Sequence, residues 1–137
     1  MILTKELEKF INSKLKKVAK HYGYSNFQST LPYLEIIKSD EIWADDDVEF
    51  YGSTTKSKSE EDKELKGWYE SMDNTLTIVI DNVKNRRDLV RTIIHEYQHY
   101  LQSPSWMTRY YNMGYQYSDH PYEVAAYVEE NNYKMFM

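Results

Sequence analysis

The chain of 137 residues contains no cysteine, no basic surplus and no long apolar run. Without cysteine there are no disulfides and no thiolate metal sites, so a zinc ion would have to be held by imidazole and carboxylate. Lys and Arg number 17 against 22 Asp and Glu, a net charge of −5. That balance cannot grip a phosphate backbone, so no nucleic-acid partner is expected. Nowhere do enough apolar residues run together for an ordinary transmembrane helix, and no membrane partner is expected. Met1-Ile2-Leu3 is followed at once by Lys5, Glu6, Glu8 and Lys9, which breaks any signal-peptide apolar core and predicts a cytoplasmic protein.

What the chain has instead is aromatic mass: 14 Tyr, 4 Phe and 3 Trp. Large rings can carry a core even where mean hydropathy is low, and disordered chains are poor in them. The length suits one domain over residues 1–137, with an α+β architecture. Leu3, Leu7, Phe10, Ile11, Leu15, Val18 and Tyr22 recur at helical steps, with Thr4 as cap and Gly23 as stop. The Lys-rich face of that helix could also meet a membrane surface, but a core-facing helix explains the same pattern.

Residues 34–36 and 48–51 alternate as half-buried strands do, and the run Asp45-Asp46-Asp47 reads as a solvated turn because it lacks the spacing and glycine of a calcium loop. Residues 53–64 are polar and predict a mobile loop. Residues 66–70 and 75–81 form the best strand pair, joined by a turn at 71–74. Ile78-Val79-Ile80 is apolar on both faces, which predicts an interior strand in a small mixed or antiparallel sheet. A helix is predicted from 86 to 102, capped by Asn85, with Pro104 just beyond its end. Residues 103–120 look irregular. A last helix starts at Pro121 and runs towards Tyr133.

The chemistry concentrates in His95-Glu96-Tyr97-Gln98-His99. Four residues advance a helix by about 6 Å and turn about 40° past a full circle, so both imidazoles leave one face and can meet one ion. Glu96 lies about 100° round from His95, beside such an ion rather than on it. There it can take a proton from an activated water. The neighbours Ile93, Ile94, Tyr97, Gln98, Tyr100 and Leu101 are uncharged and bring no competing charge to the site.

This stretch resembles the zincin metallopeptidases, whose motif matches at residues 92–101. The order of strand, motif helix and later helix extends the likeness over the C-terminal half. The resemblance implies a peptidase acting on a peptide or protein substrate, with one zinc per chain, His95 and His99 as ligands and Glu96 as general base. The metzincin subclass is excluded, because Gln102 and Ser105 stand where it needs Gly and His. In the gluzincin subclass the third ligand is a Glu on a later helix. Here Glu123 is the natural candidate, with Ala125 and Ala126 leaving room for close helix approach. The likeness is to small gluzincin-type peptidases, including those that cleave regulators in bacteria and phages.

Glu123 has a plainer reading as a first-turn acid favoured by the helix dipole. Glu130, one heptad on, is the next candidate ligand, and Asp119 and His120 are also eligible, whereas Glu129 points elsewhere. A donor for an oxyanion is needed besides the metal. His120 and Tyr127 are the foremost candidates, with Tyr110, Tyr111, Tyr115 and Tyr117 also available. Two other functions compete: a zinc-stabilised binding or structural protein with little proteolysis, and an interaction domain without metal. The first has no use for Glu96, and metal content separates the second.

Overall fold

The first helix exists because its two ends are closed and one face is apolar. In the computed structural model, which describes residues 1–42 and 64–137, α1 spans Lys5–Tyr22. The Thr4 hydroxyl accepts from the Leu7 amide at 3.1 Å, and Gly23 ends the helix at φ +84°, in the region that favours glycine. Leu7, Ile11 and Val18 point into the core. The strand expected at 48–51, the acidic turn at 45–47 and all of the loop expected at 53–64 except Glu64 lie outside the described residues.

Strand β1, Tyr33–Ile37, pairs in parallel with β3, Thr75–Val79, which pairs antiparallel with β2, Gly67–Glu70. The order β1-β3-β2 puts the most apolar strand in the middle, as the run Ile78-Val79-Ile80 predicts. The β2–β3 turn closes on Asn74 at φ +49°, a conformation asparagine tolerates. Its side chain donates to Thr30 and Leu31 and accepts from the Tyr69 hydroxyl at 2.7 Å. The strand expected to reach Asp81 stops at Val79. Residues Ile80–Asn82 instead form a 3-10 turn, where the Asp81 carboxylate accepts from the Ser39 amide and hydroxyl at 2.7 and 2.5 Å.

Helix α2, Arg86–Leu101, is the spine of the molecule. The Asn85 side chain caps it by accepting from the Asp88 amide at 2.9 Å. Leu89, Val90, Ile93, Ile94, Tyr97 and Tyr100 are all buried, so nearly the whole helix is enclosed. It packs on α1, on the sheet and on the C-terminal helices.

Residues 103–120 are not all irregular. Pro104–Asn112 forms helix α3, opened by the Ser103 hydroxyl accepting from the Trp106 amide at 3.3 Å. The proline that cannot continue α2 is well placed in the first turn of the next helix. Helix α4, Pro121–Glu129, follows and tightens into a 3-10 segment, Glu130–Phe136, whose Phe136 returns to the core. No described helix is long and apolar enough to cross a membrane.

Candidate metal centre

The site is made where α4 lies against α2. Helical spacing puts the rings of His95 and His99 5.0 Å apart on one face of α2. Pro121 starts α4, which delivers Glu123 from its first turn and buries Ala126 one turn later. A small residue there lets the two helices come close. The Glu123 carboxylate thus meets both imidazoles: its Oε1 lies 2.9 Å from His95 Nε2 and 2.8 Å from His99 Nε2. Ligand atoms from the three residues lie within 4.8 Å of one another, and the group could hold a metal ion.

The far side of each ring shows what the near side must be. His95 Nδ1 lies 2.8 Å from Glu130 Oε2, and His99 Nδ1 lies 2.7 Å from Gln102 Oε1. Both oxygens only accept, so both Nδ1 atoms carry hydrogen and donate. In neutral imidazoles the two Nε2 atoms would then turn bare lone pairs on one carboxylate oxygen. Positive charge has to sit between them.

The titration behaviour expresses the same demand. Burial works against a charged His95, but hydrogen bonds to Glu123 and Glu130 outweigh it and raise the imidazole to about 10. His99 is raised for similar reasons, chiefly by Glu123 against its own burial. Burial would lift Glu123, yet the two imidazoles hold it down at about 2. Protons meet the demand in the protein alone, and a divalent cation bound by two nitrogens and a carboxylate would replace them. The donor set fits zinc chemistry.

The outer residues are tied in turn. Glu130 Oε1 accepts from Arg91 Nε at 3.3 Å, and Gln102 Nε2 donates to the Tyr122 carbonyl at 3.1 Å. Such contacts fix ring orientation and tautomer at a metal centre. Glu130, which spacing alone makes a rival ligand, lies behind His95 instead. Gln102 is informative in sequence only as a missing glycine, although its place three residues after His99 puts it on the same helical face. Arg91 likewise precedes His95 by one turn.

Glu96 is only 8% exposed, and its carboxylate has no hydrogen-bond partner among the described residues. Burial raises its pKa, opposed by the charges of His95 and His99. It opens into two adjoining cavities, of about 510 and 300 Å³, that run along β2. Gly67 permits this closeness: a Cβ there would stand 2.6 Å from the Thr77 carbonyl oxygen and 3.2 Å from Thr92 Cγ2 on α2.

The remaining candidates divide. His120 is fully buried, and both its nitrogens are occupied: Nδ1 accepts from the Tyr122 amide and Nε2 donates to the Met107 carbonyl. Asp119 accepts from the Gln116 amide at 2.6 Å and closes an exposed turn. The Tyr127 ring packs 4.6 Å from His95 and lines the larger cavity. Tyr110 and Tyr111 stack on His120, and Tyr115 on Tyr110. Tyr117 lines both cavities. The ring is half exposed, and its partial burial, helped by the charges of Glu123 and Glu96 and by a hydrogen bond with Tyr127, pushes the phenol up. It therefore stays protonated and able to donate. Nothing in its sequence surroundings separates it from the other tyrosines of 110–127.

No family model, no curated protein and no solved structure matches this chain.

Proposed function

We propose that the chain is a zinc-dependent endopeptidase. The observation that carries this reading is Glu96: a buried carboxylate, without a partner among the described residues, that opens into a cleft beside three side chains able to hold a metal ion. A structural zinc site is closed by four protein ligands, whereas a catalytic one keeps a position open beside three. Among the described residues the converging group has three members. A structural site would also gain nothing from a buried carboxylate next to it, which costs free energy unless it is used.

His95, His99 and Glu123 would hold the ion, with Glu130 and Gln102 fixing the two rings. Zinc, when bound, supplies a Lewis acid that polarises the scissile carbonyl and makes water more acidic. Glu96, its proton affinity raised by burial, removes a proton from the attacking water and returns it to the departing amine. The phenols of Tyr117 and Tyr127 face the same cavity and are donors available to an oxyanion. His120, with both nitrogens engaged, instead sets the start of α4. The outer edge of β2 has no partner strand among the described residues, so an extended substrate can add there.

The alternative, a zinc-stabilised binding protein, shares every ligand and differs at Glu96. Purified protein is expected to hold one zinc per chain, and Glu96→Gln is expected to keep that zinc and its fold. Cleavage of a mixed peptide library should fall by about 10²-fold or more in the variant. Equal cleavage by both proteins at equal zinc loading would overturn the mechanism, and a wild-type chain that takes up no zinc would overturn the metal site itself.

A further inference from the structure

The two cavities that meet at Glu96 differ in character. The larger one lies at the start of β2 and is lined by Glu64, Asp88, Glu96 and Glu130, with Lys66 and the charged His95 as its lining cations among the described residues. Both cations are already engaged, Lys66 Nζ 2.9 Å from Asp88 Oδ1 and His95 between Glu123 and Glu130. The smaller cavity lies between the end of β2 and the start of α3, with Leu65, Trp68, Tyr69, Pro104 and Met107 in its wall. Among the described residues its only carboxylates are Glu96 and Glu123 of the centre. Leu65, Gly67, Glu96 and Tyr117 line both, so the metal-binding group sits at the divide.

We propose that this cleft selects peptides with a large apolar or aromatic residue on one side of the cleaved bond and Lys or Arg on the other. The proposal rests on the hydrolase reading and adds its substrate class. A chain extended along β2, with one carbonyl at the divide, has side chains two residues apart on one face, and these reach the two cavities from either side of the cleaved bond. The smaller cavity removes an apolar side chain from water against Trp68 and Met107. With Glu64, Asp88, Glu96 and Glu130 against Lys66 and His95, the described wall of the larger keeps net negative charge in a partly enclosed space, which attracts an ammonium or guanidinium and repels Asp or Glu. The buried Glu96 carboxylate, without a partner among the described residues and opening into both halves, marks the divide as the place where a ligand belongs.

The test uses the full zinc-loaded chain and two readouts. Cleavage sites in a randomised peptide library, read by mass spectrometry, should pair Phe, Leu or Met with Lys or Arg in one constant order. Fluorescence anisotropy should show the best such peptide binding about tenfold or more tighter than versions with Asp at either flanking position. Met107→Asp should abolish the apolar preference and leave the basic one. Glu64→Lys should do the reverse, each with zinc content unchanged. Selective binding without cleavage would support the preference and overturn the hydrolase reading. Cleavage without flanking preference would do the opposite. Equal binding of all the peptides, with no pattern in the cuts, would overturn the proposal.

Discussion

Helices α3 and α4 have the same length and the same opening, yet the molecule uses them differently. Each has nine residues, a side-chain cap and a proline in its first turn. None of the α3 residues is buried, whereas α4 buries Glu123 and Ala126. Helix α3 is held at its edge, by the Tyr110 ring against His120 and Tyr122 at 5.4 and 5.5 Å and by His120 donating to the Met107 carbonyl. Helix α4 is held through the site, by one carboxylate shared between two imidazoles of α2. Local rules start both helices, and only contact with α2 makes one of them chemical.

Four substitutions bear on that difference, the largest first. Glu123→Ala removes the shared carboxylate, and zinc affinity should fall beyond the ~10–100-fold that loss of an outer partner costs. Glu130→Ala should fall within that range. Competition against a chelator measures both, and equal losses would make Glu123 no more than another outer residue. Ala126→Leu is expected to overpack the α2–α4 contact, destabilising the protein by about 1–3 kcal/mol and weakening zinc binding as well. Denaturant unfolding with and without zinc checks this, and an unchanged midpoint would show that α4 has room to spare. Ser103→Ala removes the α3 cap and should cost about 0.5–2 kcal/mol with zinc affinity intact. A loss of zinc on that substitution would show that the two helices act as one unit.

Much of the fold was legible because it is written in short-range pattern. The apolar period of α1, its Thr4 cap and Gly23 stop, the central position of β3 and the Asn85 cap of α2 all follow from neighbours within a few residues. Helix α3 was missed for a physical reason: Pro104 reads as a stop, and Ser103 before it as a loop residue, until the two are taken together as cap and first turn. The early end of β3 was equally hidden, since the Asp81 carboxylate is claimed by Ser39, 42 residues earlier in the chain. At the site, His95, Glu96 and His99 were legible because a helix sets their relative directions to within a few tens of degrees.

The sequence alone determined the α+β class, the motif helix with its two imidazoles on one face, and the need for a nitrogen and oxygen donor set in a chain without cysteine. Tertiary structure decided between Glu123, Glu130 and Asp119 as the group that meets both rings. It also turned Gln102 and Glu130 into the partners of Nδ1 and brought Tyr117 rather than His120 into the cleft. Periodicity tells which face of a helix a side chain leaves from. How closely and at what angle α4 lies on α2 depends on packing between segments separated by a turn and a second helix, and those two quantities choose which of several carboxylates arrives within 3 Å of an imidazole.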